Sequence, residues 1–365
     1  MQSRDTRIDV LKGIGILFII MGHCGGHGRQ FLNYTLFHVA IFFIASGYVF
    51  NENDSNNIIN FKNKIIKLIK RLYVPWIVVG SIYSLLNNTF IKLNILTDNV
   101  ALLDTEWGSY GIDSLKSFDE TILYIFKTVL PFRALPKLTG ASWFLATLFF
   151  VEVVYLFLDL ILKRSKKHMQ AMDIIVVLLY FLSTYLSTQG KIDNSGYKCL
   201  AILYSILFYH IGRRVKQWNN NIADYRLGFM IGFTVLYFAK LHGIVIRYGR
   251  QEIVDGGVLL IVSIAGYALV WGMSSYIVEN YSLISKIISY IGRQSLWIMM
   301  FHQLSFKFVT YIQIKYYGLD EYLLSAYPVL YSDKMWWVAY TLTGVIIPLI
   351  FVKLGAALKS TFIKS

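Results

Sequence analysis

Long apolar segments recur along the whole chain and constrain its fold more than any other feature. A helix crosses a bilayer with about 20 consecutive, mostly apolar residues. About ten segments approach that length, which predicts an all-α integral membrane protein with about ten transmembrane helices. They lie at approximately 8–26, 34–50, 72–92, 141–162, 172–189, 198–213, 227–243, 256–278, 284–303 and 335–356.

The distribution of positive charge predicts how these helices are oriented. Only 15% of the residues are charged, against about a quarter in soluble proteins, yet the net charge is +14. Lys and Arg cluster in the linkers after the second, fourth and sixth segments, so these linkers and both termini are predicted to be cytoplasmic. This explains the basic charge without nucleic acid. Cys24 and Cys199 lack metal-ligand spacing, so no metal is expected.

The chain is interpreted as a single polytopic domain, residues 1–365, with no appended soluble domain. A loop at about 93–140 is far longer than the usual connection of about 4–6 residues, which indicates a functional segment. Within it, SFDETILYIFKTVLPF is predicted to be a short interfacial helix, because Ser117 and Glu120 have capping-box spacing and the apolar residues share one face. A second long loop, at about 304–334, is rich in tyrosine.

The first apolar segment, RIDVLKGIGILFIIMGHCGGH, carries ionisable residues that are costly in hydrocarbon. On a helix, Lys12 and His23 are about 20° apart around the axis and about 16 Å apart along it, and Asp9 shares their face. Such a stripe indicates a protein-lined or watery interior. A neutral imidazole suits general-base catalysis near pH 7, which makes His23 the leading candidate. The plainer alternatives are a snorkelling Asp9–Lys12 pair and a histidine that only packs.

Five elements now carry a resemblance to a known family. A basic residue, Lys12, precedes His23 by ten intervening residues, and four further elements follow in order: FHVAIFFIASGYVF, KRLYVPW, SWFLATLFFVE and GRQSLWIMMFH. Through these five elements, residues 4–305 resemble the bacterial membrane-bound acyltransferase-3 family, in particular its stand-alone sugar O-acetylases. One departure is Lys12, since the family more often has Arg there, and Lys offers a point charge in place of a planar fork.

The resemblance implies a reaction in the bacterial cytoplasmic membrane. An acetyl group would pass from acetyl-CoA to a hydroxyl of a cell-surface polysaccharide or its lipid-linked precursor. His23 would be the general base, and the predicted topology brings His38 and His302 toward the same leaflet. The plainer alternatives place His302 at a span end and His38 in a packing role.

The remaining candidates follow from motif position or from depth in the membrane. The CoA phosphates would meet cations on the inner face, where the alternative is plain positive-inside topology. A carboxylate in mid-membrane, Glu152, could orient an imidazole, pair with Lys12, or make an interhelical hydrogen bond. Substrate contacts are assigned to Asp9, Ser46 and Trp143, although Ser46 with Gly47 could instead permit close helix approach. The CoA-binding candidates are Lys12, Lys67, Lys70 and Arg71.

The same sequence features are compatible with two other classes of function. Ten spans with intramembrane charge would also suit a transporter of sugars or small solutes, which predicts inverted repeats that are not evident here. A non-enzymatic subunit of a polysaccharide synthase would tolerate the loss of His23. Neither a larger acyl group than acetyl nor an oligomer is excluded by the sequence. A pore lined by the first span is expected to admit the pantetheine arm of CoA.

Overall fold

The computed structural model describes residues 5–25, 37–104, 110–189, 194–218, 225–244, 246 and 255–364. Within these residues the secondary structure is helical, with two isolated β-bridges, Thr97–Ile112 and Tyr110–Ala326, and no strand. The prediction of an all-α protein is therefore confirmed. The α-helices are α1 (Thr6–His23), α2 (Ala40–Tyr48), α3 (Ile58–Leu68), α4 (Val74–Leu85), α5 (Asn87–Lys92), α6 (Phe118–Tyr124), α7 (Trp143–Leu162), α8 (His168–Thr188), α9 (Asn194–Trp218), α10 (Tyr225–Leu241), α11 (Gly256–Asn280), α12 (Ser282–Arg293), α13 (Ser295–Tyr317) and α14 (Trp336–Lys364).

Four of these helices are long and apolar enough to cross a membrane, among the residues that the structure describes. They are α7, α8, α11 and the Trp336–Gly355 part of α14. The total of ten spans and the cytoplasmic placement of the termini stay predictions. The first predicted span is not among these four helices. Its helix, α1, is only 18 residues long and includes the charged residues Arg7, Asp9 and Lys12.

Three predicted spans differ from the structure. Among the described residues of the span at 34–50, the helix is α2, which has nine residues and is too short to cross a bilayer. The span at 284–303 is two helices, α12 and α13, which meet at Gln294, where φ is −98° and ψ is 8°. Hydropathy did not detect the break because α12 is amphipathic and buries a small-residue face of Ser285, Ser289 and Gly292. The span at 72–92 is likewise interrupted at Leu86, where φ is −84° and ψ is −3°.

The predicted linker before the third span contains a helix of its own, because residues 58–68 form α3. The side chain of Asn57 accepts a hydrogen bond from the Asn60 amide and so begins that helix. The helix passes through a π turn, Ile69–Tyr73, directly into α4. Pro75 explains the turn: it has no N–H for the Arg71 carbonyl, and the Val74 amide donates instead to Ile69.

The helix predicted in the first long loop is present. Ser117 accepts from the Glu120 amide at 3.2 Å, and the Glu120 carboxylate accepts from the Ser117 amide at 2.7 Å. This reciprocal capping box begins α6, which continues through a π turn over Ile125–Val129. The capping prediction is therefore confirmed, and the membrane-interfacial position of the helix stays a prediction.

The chain forms two compact units. The first comprises Met1–Gly15, Leu32–Pro75 and Phe144–Gly292, and the second comprises Ile16–Phe31, Trp76–Trp143 and Arg293–Ser365. In the first unit, backbones of neighbouring helices touch. A Cβ on Gly47 of α2 would overlap the carbonyl oxygen of Tyr209 in α9, so the close approach predicted for Ser46–Gly47 is confirmed.

Candidate functional site

Two histidines that sequence analysis selected are neighbours within the second unit. His23 is the last residue of α1 and is partly exposed, whereas His302 lies in α13 and is fully buried. Their ring centroids are 5.3 Å apart, with an angle of 38° between the ring planes. This pair combines an accessible imidazole with a second one that is shielded from water.

The hydrogen bonds of His302 identify its tautomer. Its Nδ1 lies 3.1 Å from the carbonyl oxygen of Ile298 and 2.9 Å from that of Met299. Carbonyl oxygens only accept, so Nδ1 carries the proton and Nε2 of the neutral ring carries a lone pair. Within the described part of the chain, no hydrogen-bond partner reaches Nε2. His302 therefore offers a buried acceptor nitrogen beside His23.

The position of His302 within its helix differs from the prediction. The sequence predicts that it lies at the end of a span, but α13 continues beyond it to Tyr317. Its ring packs edge-on against Phe306 at a centroid distance of 5.5 Å. His302 is therefore a helix-interior residue, held by two backbone carbonyls and a ring contact, and it does not end its helix.

The tyrosine-rich loop predicted at about 304–334 is shorter in the structure, because α13 continues to Tyr317 and only residues 318–335 connect it to α14. This connection contacts α13 at one point and the end of α1 at another. Gln303 accepts a 2.7 Å hydrogen bond from the hydroxyl of Tyr327, and burial raises the pKa of Tyr327 to about 12, so it remains a donor at neutral pH. Gly25, two residues after His23, lies against Ser332. The loop therefore borders the end of α1 that carries the histidine.

Lys307 anchors the same loop and was missed by sequence analysis. Its side chain is buried, and Nζ donates to the carbonyl oxygens of Leu324 and Ala326 at 2.9 and 2.6 Å. A lysine in an apolar run was the only available signal, and the carbonyl partners lie 17 and 19 residues further on.

In the first unit, Glu152 of α7 forms an ion pair with Arg71, and this was not among the partners proposed for it. Arg71 Nη2 donates to Oε1 of Glu152, while Lys64 Nζ lies 3.6 Å from Oε2. Lys64 also lies 3.3 Å from a carboxylate oxygen of Asp54. The glutamate side chain is 3% exposed and that of Arg71 51%, so a buried carboxylate fixes a cation that faces outward.

The other predicted residues of the first unit occupy separate positions. Asp9 is buried and Lys12 half-buried, both in the part of α1 that packs on α12, where a Cβ on Gly292 would overlap the Asp9 carbonyl oxygen. The exposed cations Lys67 and Lys70 lie on the same helical segment as Arg71. His38 is half-buried and Ser46 is buried.

Trp143, half-buried, begins α7 in the second unit. The predicted convergence of His38 with the histidine pair stays a prediction. So do the contacts of Trp143, Asp9 and Ser46 with an acceptor substrate.

A buried ion network in the first unit was not predicted. Arg213 of α9, 1% exposed, donates to Asp159 of α7 at 2.5 Å and also pairs with Glu52. Asp159, fully buried, accepts a 2.5 Å hydrogen bond from Ser55, and Lys163 lies 3.9 Å from it. The network connects α7, α9 and the turn that precedes α3.

His210 joins a second network on α9. Its Nδ1 lies 2.8 Å from the hydroxyl of Tyr155, and its Nε2 lies 2.6 Å from a carboxylate oxygen of Asp173. Asp173 also pairs with Arg214. Both ring nitrogens of His210 are engaged, which gives this residue a structural role.

Among the described residues, no group of three or more His, Cys, Asp or Glu side chains is placed so that it could hold a metal ion. A family model described as an acyltransferase domain matches residues 5–353, which is nearly the whole chain. No curated protein and no solved structure matches the chain significantly.

Proposed function

The chain belongs to the acyltransferase-3 family, and from this premise we propose that it transfers an acetyl group from acetyl-CoA to a hydroxyl of a cell-surface polysaccharide or its lipid-linked precursor. The observation that carries the proposal is the contact between His23 and His302 in the second unit. The family match does not favour the alternative of a transporter. The donor, the acceptor and the bacterial cytoplasmic membrane are parts of the proposal.

His23 is assigned as the general base. Its imidazole removes the proton of the acceptor hydroxyl as the oxygen attacks the thioester carbonyl, and the carbon–sulfur bond then breaks. The resulting imidazolium returns the proton to the CoA thiolate, so the base is regenerated. A neutral imidazole suits both steps, because its ordinary pKa of about 6.5 permits proton transfer in either direction near pH 7.

His302 is assigned as a positioning residue for that base. Its Nε2 lone pair can accept a hydrogen bond from one N–H of the neighbouring imidazole. That hydrogen bond would leave the other nitrogen of His23 unprotonated, and it would strengthen when His23 becomes cationic. Two carbonyl contacts hold the donor side of His302, so its ring cannot easily adopt the other tautomer.

The cations of the first unit suit the phosphates of the donor. Arg71 is held by a buried glutamate while half of its side chain remains exposed. The planar guanidinium can bind a phosphate in a bidentate manner, which an ammonium cannot. Lys67, Lys70 and Lys12 are assigned supporting roles for CoA.

The test is an acetylation assay on the full-length chain with His23→Ala. Acetate on the surface glycans of cells and release of CoA thiol by the purified protein are both measured. Loss of a general base lowers kcat by about 10²–10⁴-fold. The matched control is His242→Ala, which removes an exposed imidazole outside the site. Unchanged acetylation with normal expression of His23→Ala would refute the base assignment.

A second variant tests the positioning role. His302→Gln keeps a polar side chain but removes the ring acceptor, so we expect a lower kcat, a shifted pH–rate profile and an unchanged KM for acetyl-CoA. A purely structural role for His302 would lower the yield of folded protein without moving the pH profile.

A further inference from the structure

A cavity of about 650 Å³ lies at the end of α7 within the first unit, and none of its lining residues is assigned to acyl transfer. We call it the α7-end cavity. One wall is apolar, and the other is polar and cationic. The apolar wall is Ile58, Leu160 and Ile161, and the polar wall includes Asn57, Lys163 and Arg164.

Two of the three apolar wall residues, Leu160 and Ile161, belong to α7, and the third, Ile58, begins α3. Helix α7 has the length and composition of a span and ends at Leu162, one residue before the first of the cations. Ile161 is 54% exposed and Ile58 is 55% exposed, which is costly in water and favourable against hydrocarbon. The cavity therefore lies where a hydrocarbon-facing surface changes to a charged one.

The cationic wall has one arginine available to a ligand. Lys163 is directed inward, since Nζ lies 3.2 Å from Ser55 Oγ and 3.9 Å from Asp159. Arg164 is the exposed neighbour, and none of the cavity's lining residues is acidic. The site thus carries a net positive charge, and Asn57 adds a polar amide at the beginning of α3.

We propose that the α7-end cavity binds an anionic phospholipid, with its phosphate at Arg164 and an acyl chain along Ile58 and Ile161. The apolar wall selects a lipid over a free phosphate, because an inorganic ion leaves that wall uncovered. The charge selects an anionic lipid over a zwitterionic one, because a cationic choline group would lie beside Arg164. The proposal goes beyond acyl transfer and does not depend on it.

The test measures phosphatidylglycerol binding to the purified full-length chain by native mass spectrometry, from micelles that also contain phosphatidylcholine. We expect phosphatidylglycerol to be retained preferentially. One cation near a membrane surface changes lipid affinity by roughly five-fold, so Arg164→Gln should weaken binding by about that factor. The matched control is Lys166→Gln, which removes an equal charge from the same linker but does not line the cavity.

A third variant separates the cavity from general attraction between the linker and the membrane. Ile161→Trp leaves every cation in place but occupies the apolar wall, so it should also weaken phosphatidylglycerol binding. Equal losses from Arg164→Gln and Lys166→Gln would overturn the proposal in favour of non-specific surface charge. Equal retention of phosphatidylcholine, or full displacement of the lipid by inorganic phosphate, would overturn it as well.

Discussion

Replacing Arg213 tests whether the unpredicted ion network stabilises the fold. Arg213→Met removes a cation that is 1% exposed and leaves the fully buried carboxylate of Asp159 behind. Removing one partner of a buried ion pair costs about 3–5 kcal/mol, mostly because the other charge remains without its counterion. Ser55 still donates to Asp159 at 2.5 Å, and Lys163 lies 3.9 Å away. We therefore expect the lower end, about 3 kcal/mol, or roughly a hundredfold in the unfolding equilibrium.

The double variant, Arg213→Met with Asp159→Leu, tests whether the two charges depend on each other. Asp159→Leu alone leaves Arg213 buried with the half-exposed Glu52 as its acidic partner among the described residues, so it should cost a similar amount. Both substitutions together remove both charges, and replacing a buried pair with apolar residues is often neutral. The double variant should therefore lie within about 1 kcal/mol of the unmodified chain. The free energy of unfolding is measured by denaturant titration in micelles, followed by tryptophan fluorescence.

The adjacent arginine provides the control. Arg214→Met removes the same group from the next position, but Arg214 is 24% exposed and its partner Asp173 is 39% exposed. An exposed ion pair contributes about 0–1 kcal/mol, so Arg214→Met should change the free energy of unfolding by no more than that. If the costs of Arg213→Met and Asp159→Leu simply add in the double variant, the two charges are not coupled and the reasoning is refuted.

Three further predictions concern the site, the packing beside it and the N-terminus. Arg71→Lys should raise the KM for acetyl-CoA about tenfold with little change in kcat, because a bidentate contact is lost; an unchanged KM would argue against a phosphate-binding role. Gly344→Val should lower kcat, because a Cβ at Gly344 would already lie 2.7 Å from Phe306 and 3.5 Å from the Cβ of His302; unaltered steady-state rates would contradict this. Burial alone would raise the pKa of Asp5, but hydrogen bonds from Arg7 outweigh it and lower that pKa. The folded state then binds fewer protons than the unfolded state, so the stability advantage over Asp5→Asn should be complete above the ordinary pKa of about 4 and lost as pH falls below it. Thermal melts of both proteins across that range check this, and a constant difference in melting temperature would exclude the assigned contact.

Local features of the fold could be predicted from the sequence because they depend on neighbouring residues. The segment predicted at 256–278 is the helix Gly256–Asn280, and that predicted at 141–162 is Trp143–Leu162. The capping box of Ser117 and Glu120 spans only three residues. In each case the determining signal, whether apolar length or cap spacing, lies within the element itself.

Features that depend on distant partners could not be predicted in the same way. Arg213 pairs with Glu52, which is 161 residues away, and Arg71 pairs with Glu152, which is 81 residues away. Each of these side chains has several possible counterions in the sequence, and only the packing of helices selects one. The interruption at Gln294 has a similar origin, since the hydropathy of 284–303 is continuous while the buried face of α12 is not that of α13.

The carboxylates of α7 show that two charges on one apolar helix can have cationic partners of very different exposure. Glu152 and Asp159 are seven residues apart and so share a face of the helix, and each is matched by a cation from another element. Glu152 pairs with an arginine that is half exposed, whereas Asp159 pairs with one that is fully buried. A cation that remains exposed can still bind a ligand, while a buried one is already fully engaged. The exposure of each arginine therefore distinguishes their roles. Arg71, which is half exposed, is the better candidate for binding the donor, and Arg213, which is buried, has a structural role.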